Sequence, residues 1–191
     1  MIGPKRMFDA CVAAVGLIVA APVIAVASVA IRLESSGPAI FAQARVGRGR
    51  RVFTCYKLRT MRKDTAHVAT HLAASSSITP LGARLRRWKL DELPQLWNVL
   101  VGDMSLVGPR PCLPSQTELV ETRDRLGVYG VLPGITGLAQ VQDIDMSDPG
   151  RLAQVDAEYV KTQSFTGDLR LIAATLLGSG LNVDRIRRPA D

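Results

Sequence analysis

The chain is poor in aromatic residues, at 5% of its 191 positions, which leaves too few rings for a stacking platform on single-stranded nucleic acid. It carries two histidines and three cysteines. Cys11, Cys55 and Cys112 are far apart, odd in number and free of CxxC spacing, so neither a disulfide framework nor a thiolate metal site is indicated, and a reducing compartment is the simpler reading. His67 and His71 have the spacing of one helix face, but with no HExxH pattern and among Thr, Ala and Ser they read as a solvated loop. No internal repeat is visible. Acidic residues are the other shortage, 17 against 24 Lys and Arg, for a net charge of +7. That surplus favours anionic partners (phosphates, nucleic acid or an acidic lipid surface) without choosing among them.

Charge is missing altogether from residues 10–31, ACVAAVGLIVAAPVIAVASVAI. As one straight helix that run would reach about 33 Å, enough to cross the hydrocarbon core. Three readings compete: a cleaved signal peptide with Ala25-Val26-Ala27 at its end, a spanning helix, or a helix that enters the membrane, breaks at Pro22 and leaves on the same side. Eight basic residues and no acidic one lie between Ala42 and Lys63, which holds that stretch in the cytoplasm and argues against export. Lys5 and Arg6 precede the run and Arg32 follows it. A span puts one of these basic flanks on the wrong side; a re-entrant hairpin puts both inside.

Beyond the turn Ser35-Ser36-Gly37-Pro38, Ala39-Ile40-Phe41 and Val52 to Tyr56 read as two strands joined by the basic turn Val46 to Arg51. Residues 64–77 are small and polar, a loop. Leu81, Leu85 and Trp88 fall at helical spacing over Thr79 to Lys89, with Thr79 as N-cap and Pro80 at the first position. Pro94 restricts Leu93, which predicts a chain break there and a second helix from Pro94 to about Val101. From Asp168 to Gly178 an amphipathic helix sets Leu169, Ile172, Ala173 and Leu176 toward the core or a bilayer surface.

Asp91-Glu92 stand just before the proline-initiated helix, near the positive end of its dipole, an environment that suits a nucleophile or a magnesium ligand. The plainer alternative is two helix-start acids paired with Arg84, Arg86, Arg87 and Lys89. Gly108-Pro109-Arg110-Pro111 fixes the backbone around one guanidinium, a planar fork for a phosphate. Pro133-Gly134-Ile135-Thr136-Gly137 reads as a rigid turn whose N–H groups face an anion. Lys57 and Arg59 alternate at the end of the second strand and share a face. Together these make a cationic site around two acids.

Several runs carry a resemblance: Lys5-Arg6-x-x-Asp9, Gly37-Pro38-x-x-Phe41-x-Gln43-x-Arg45-x-Gly47, Lys57-x-Arg59-Thr60-Met61 and Thr79-Pro80-Leu81-Gly82. Leu90-Asp91-Glu92-Leu93-Pro94-Gln95-Leu96-x-Asn98, Gly102-Asp103-Met104-Ser105-Leu106-Val107-Gly108-Pro109-Arg110-Pro111 and Pro133 to Val141 continue the series. In this order they resemble the bacterial sugar transferase family, the small monotopic phosphoglycosyl transferases that begin lipid-linked glycan assembly. The resemblance covers most of residues 5–141 and turns Asp91-Glu92 from helix-start acids into candidate chemistry.

The resemblance implies an α+β fold: a re-entrant membrane helix over residues 1–34, then a small, mostly helical cytoplasmic catalytic domain over 35–191 with a short β-hairpin and interfacial amphipathic helices. It implies a donor UDP-sugar, a polyprenyl (undecaprenyl) phosphate acceptor, Mg²⁺ held by Asp91 and Glu92, and no nucleic acid. Asp91 is then the nucleophile and Glu92 its helper, as metal partner or base. Arg86 and Arg110 match positions that hold phosphates, with Lys57 and Arg59 as further candidates. The implied location is the cytoplasmic face of the bacterial inner membrane, at the first membrane step of glycoconjugate assembly. The sequence departs from the family where Ala21-Pro22 replaces Ser-Pro at the break, and where Gln142-Asp143-Ile144-Asp145 replaces Asn-Gly-Arg after Val141, which points to a different sugar. The chain begins at the membrane hairpin, as smaller family members do. A basic membrane-associated binding protein without turnover is the rival reading; it gives Asp91 no role.

Overall fold

The computed structural model describes residues 3–62 and 77–177. Nearly all of the polar loop expected at 64–77, with His67 and His71, lies outside the described residues. The uncharged run belongs to α1, Pro4–Glu34, a helix of 31 residues with proline at its start, where a missing N–H costs nothing. Pro22 lies inside it and the helix carries on through that residue, so the two half-helices expected on either side of a break form one continuous element. A single proline removes one backbone hydrogen bond, too little to end a helix with full apolar turns on both sides. Among the described residues α1 alone is long and apolar enough to cross a membrane.

One stripe of α1, formed by Asp9, Ala13, Ala20, Ala27 and Ile31, is buried, while Val15, Ile18, Val19, Val26, Val29 and Leu33 are mostly exposed. The rest of the chain grips both ends of the helix. At the start, Lys5 pairs with Asp168 at 2.5 Å, Arg6 donates to the Val99 and Leu100 carbonyls, and Ser105 Oγ donates to Asp9 at 2.7 Å. At the finish, Arg59 donates to Ser35 O at 2.7 Å and Leu81 N donates to Glu34 at 2.9 Å.

The hairpin is antiparallel β1, Ile40–Val46, and β2, Val52–Leu58, with Phe41 opposite Lys57 and Arg45 opposite Phe53. β1 outruns the strand expected to stop at Phe41. Its Ala42-Gln43-Ala44-Arg45 stretch has no β-branched or aromatic residue to announce it, and pairing with β2 holds it extended. Period-2 alternation then turns Phe41, Gln43 and Arg45 to the inner face. α2, Pro80–Arg87, is capped as expected, Thr79 Oγ1 accepting from Gly82 N at 3.0 Å.

The chain break expected at Leu93 is displaced. Leu93 takes a helical conformation (φ −53°, ψ −38°), and the reversal falls at Lys89, a left-handed residue with φ 54°, ahead of a 3-10 turn over Leu90–Glu92. Proline disfavours a helical residue before it without forbidding one, and Leu93 N closes the turn on Leu90 O at 3.3 Å. α3, Gln95–Val101, follows directly. Its fully buried Asn98 donates to Thr54 O at 2.7 Å and accepts from Tyr56 N at 3.1 Å, tying α3 to the edge of β2 as a further strand would.

β3, Ser105–Val107, and β4, Gly134–Thr136, form a small parallel pair. The segment 133–137, expected as an anion-binding turn, is therefore largely strand, and Gly134 N is spent on Pro109 O at 3.0 Å. A Cβ on Gly134 would meet Gly108 N at 2.1 Å, so glycine serves close backbone approach here. Helices α4 (Thr117–Arg125), α5 (Leu138–Val141), α6 (Pro149–Thr162) and α7 (Phe165–Leu177) complete the fold. α7 turns Asp168, Leu171 and Ala174 inward and leaves Leu169, Leu176 and Leu177 exposed. Val99, Met104, Val107 and Tyr159 share the core with Leu171 and Ala174.

Candidate active site

A cavity of about 820 Å³ opens between the inner face of the hairpin, α2, the 3-10 turn and the loop after β3. Asp91, Glu92, Lys57, Arg59, Arg86 and Arg110 all line it, so six residues that the sequence scatters over more than fifty positions converge. Pro22, in the middle of α1, does not line it.

The left-handed turn at Lys89 and the 3-10 turn behind it aim two neighbouring carboxylates into the cavity with different surroundings. Glu92 Oε1 accepts from Lys57 Nζ at 3.0 Å and from Arg110 Nη2. Burial pushes the Glu92 carboxyl up, but the Arg110 and Lys57 charges and their hydrogen bonds outweigh it and hold the group well below the usual carboxylate range. Lys57 is pushed down by burial and by Arg110, against the pull of Glu92. Glu92 in turn raises Arg110.

Asp91 is 8% exposed, and among the described residues nothing donates a hydrogen bond to its carboxylate. Burial and the neighbouring Glu92 charge push it up, while Lys57, Arg86 and Arg110 pull it down. A carboxylate with free lone pairs beside three cations is equipped to meet an electrophile or a cation rather than to hold the fold. Among the described residues no three His, Cys, Asp or Glu side chains cluster around a metal position. Magnesium is commonly bound through one or two carboxylates plus substrate phosphates, and the unengaged Asp91 oxygens beside Glu92 fit that donor set.

The cations differ as well. Arg86 donates from Nε to Thr60 Oγ1 at 2.8 Å and lines the cavity. Arg59 lines the wall, but its terminal nitrogens reach Ser36 O at 2.9 Å, Ser35 O at 2.7 Å and Ser35 Oγ at 2.9 Å; it caps the end of α1, where a cation also suits the helix dipole. Sequence reasoning singled out neither Thr60 nor Arg45 for a role, though both stand inside the runs that carry the resemblance. Arg45 Nη1 donates to Pro111 O at 2.9 Å and Nη2 to Gln43 Oε1 at 2.7 Å. It also missed Arg123, which donates to Arg110 O at 2.9 Å; one arginine in the polar run Thr117 to Arg125 gives no signal of burial.

The family model described as bacterial sugar transferase matches residues 2–179. The chain belongs to the bacterial sugar transferase family. Among relatives, a UDP-glucose:undecaprenyl-phosphate glucose-1-phosphate transferase of Caulobacter vibrioides is 40% identical over 182 residues, 90% of this chain and 68% of the relative. A putative undecaprenyl-phosphate N-acetylgalactosaminyl 1-phosphate transferase of Bacillus subtilis is 49% identical over 116 residues, 60% of this chain and 65% of the relative. A UDP-N-acetylgalactosamine-undecaprenyl-phosphate N-acetylgalactosaminephosphotransferase of Aeromonas hydrophila is 36% identical, with 90% of this chain matching 42% of the relative. The chain thus spans about two thirds of the first two and less than half of the third. Membership of the bacterial sugar transferase family makes it an enzyme, a phosphoglycosyl transferase.

Proposed function

We propose that the chain transfers a sugar-1-phosphate from a UDP-sugar to a polyprenyl phosphate, undecaprenyl phosphate in kind, through a covalent intermediate on Asp91. The observation that carries the reading is the buried Asp91 carboxylate, unengaged among the described residues and sharing one cavity with Lys57, Arg86 and Arg110. An Asp91 oxygen attacks the β-phosphorus of the donor. The bond from that phosphorus to the oxygen bridging the α-phosphate breaks, and UMP leaves with the electron pair. A phosphate oxygen of the polyprenyl acceptor then attacks the same phosphorus, and the bond to Asp91 breaks, returning the carboxylate and forming a polyprenyl diphosphate sugar. Phosphoryl transfer needs positioning and charge neutralisation above all. Arg86 and Arg110 hold phosphate oxygens and Lys57 neutralises charge beside them. Glu92, kept ionised by its two cations, is a weak base, so its part is to orient Lys57 and Arg110 and to share a metal. Asp91 and Glu92 would hold Mg²⁺, which supplies further neutralisation of phosphate charge when bound.

Residues 1–34 are read as the membrane anchor and 35–191 as the catalytic domain, on the cytoplasmic face of the bacterial inner membrane. The grip on both ends of α1 supports a re-entrant anchor in which the continuous helix bends at Pro22 instead of breaking there. A helix whose two ends hold one domain, through Lys5–Asp168 and through Arg59–Ser35, has both ends on that domain's side of a bilayer. The exposed Leu169, Leu176 and Leu177 of α7, with Phe165 packed edge-on against Phe8 of α1 at 5.2 Å, fit an interfacial helix. Leu96, which meets α1 near Gly16, also lines the cavity, so an acceptor phosphate reaches Asp91 from the membrane side. Cysteine labels at positions 3 and 48 are then both reachable only from the cytoplasm, and opposite-side labelling would establish a span instead.

The deciding experiment measures UMP release by the purified protein with undecaprenyl phosphate, Mg²⁺ and a panel including UDP-glucose and UDP-N-acetylgalactosamine. Release with one donor and none from Asp91→Asn supports the reading. Folded protein silent across the panel, or an active Asp91→Asn variant, overturns it.

A further inference from the structure

The active-site arginine, Arg110, sits in a loop whose backbone is held carbonyl by carbonyl. Gly134 N donates to Pro109 O at 3.0 Å, Arg123 Nη1 to Arg110 O at 2.9 Å, Arg45 Nη1 to Pro111 O at 2.9 Å, and Val46 N to Cys112 O at 2.9 Å. Pro109 and Pro111 also fix their own φ angles on either side. The contact to Arg110 O comes from a buried ion pair. Arg123 is 1% exposed and donates from Nε and Nη2 to Asp156 Oδ2 at 2.9 and 2.6 Å. Neither Arg123 nor Asp156 lines the cavity.

A buried ion pair is a poor stabiliser, because desolvation of both charges offsets their attraction and an apolar pair of similar volume often does as well. This pair does something an apolar pair would not. With Nε and Nη2 fixed on one carboxylate, the planar guanidinium presents Nη1 in one direction, and that direction ends on the carbonyl of Arg110.

We propose that Arg123, aimed by Asp156, is a positioning residue that sets the Arg110 side chain against Glu92 and the phosphates; this rests on the site reading given above. Arg123 acts from α4 and Asp156 from α6, so two helices with no surface on the cavity set the place of one of its cations. A displacement of about 1 Å at a phosphate-binding group is enough to lower turnover about 100-fold.

A double-mutant cycle on the full chain in phospholipid nanodiscs tests this, comparing Arg123→Lys, Arg110→Lys and the double variant. UMP release and UDP affinity are both read, and thermal unfolding is followed alongside. Arg123→Lys keeps a cation for Asp156 but cannot hold both Asp156 and the Arg110 carbonyl in the arginine geometry. It is expected to lower kcat/KM by about 10- to 100-fold. Added to Arg110→Lys it is expected to lower it by less than about twofold more, since a residue acting only through Arg110 has nothing left to position. Losses that multiply in the double variant, or full activity of Arg123→Lys, overturn the proposal. Should Arg123→Lys not fold, the same cycle is run with Asp156→Asn and decides by the same outcomes. Wild-type turnover and UDP affinity in Arg110→Lys would instead remove Arg110 from the site and take the inference with it, whereas an impaired Arg110→Lys beside a normal Arg123→Lys overturns the inference alone.

Discussion

Asp91 and Asp168 are both aspartates hidden from solvent, at 8% and 4% exposure, and they have opposite neighbours. One oxygen of Asp168 takes Lys5 at 2.5 Å and the other takes the Tyr159 hydroxyl at 2.8 Å. The Tyr159 hydroxyl, whose one proton goes to the nearer Asp168 oxygen, also lies 3.1 Å from Val107 O and accepts from Gln163, so that network closes on itself between α1, β3, α6 and α7. Asp91 has cations nearby and no donor on its oxygens among the described residues. A buried carboxylate with both oxygens bonded is part of the architecture. One whose capacity is left open, at a cost in desolvation, is reserved for something that arrives.

Substitutions at the two positions should separate cleanly. Asp91→Asn is expected to remove turnover by at least about 1000-fold while the melting temperature stays within a few degrees, read by UMP release and thermal unfolding. A large drop in melting temperature would make Asp91 structural and erase the contrast. Excess EDTA is expected to stop turnover and Mg²⁺ to restore it, with the unfolding temperature unchanged; activity persisting in EDTA would leave the open oxygens of Asp91 without a metal to hold. Asp168→Asn should reverse the pattern. Unfolding free energy falls by about 1–3 kcal/mol, while kcat per folded molecule changes by less than about threefold. The smallest effect lies in pH. Asp91 must be ionised to attack, and burial and Glu92 raise its pKa, so kcat/KM should fall with acidification at a pH above the ordinary aspartate range. A limb at or below that range would show that Lys57, Arg86 and Arg110 dominate instead.

The parts legible in sequence were those set by local chemistry. Thr79 capping α2, the hairpin with its basic turn and the apolar helix follow from neighbours along the chain, whereas Asp91-Glu92 with Arg86 and Arg110 become site candidates through the family resemblance, and the structure brings the four to one cavity. The parts that escaped depend on distant partners. β1 extends through Ala42 to Val46 because β2 pairs with it, not because those residues favour strands. Leu93 stays helical because the turn at Lys89 has already redirected the chain. Arg59 looked like a phosphate ligand from its alternation with Lys57, and only the position of the end of α1 shows its guanidinium occupied. The buried Arg123–Asp156 pair lies in two segments to which sequence reasoning assigns no element, and the packing of α4 on α6 brings it together.

The tie between Lys5 and Asp168 joins residues 163 positions apart. At a translation rate of about 5–20 residues per second, roughly 8–33 s pass between synthesis of the two. During that interval α1 waits with its α7 partners not yet made, and Val15, Ile18 and Val19, exposed even in the finished fold, get no cover from the chain itself. For the membrane anchor proposed above, entry into the bilayer then precedes the docking of α7. The nascent chain closes onto α1 from the far end, making the Lys5–Asp168 pair among the last contacts to form and tying the assembled cavity to a helix already made.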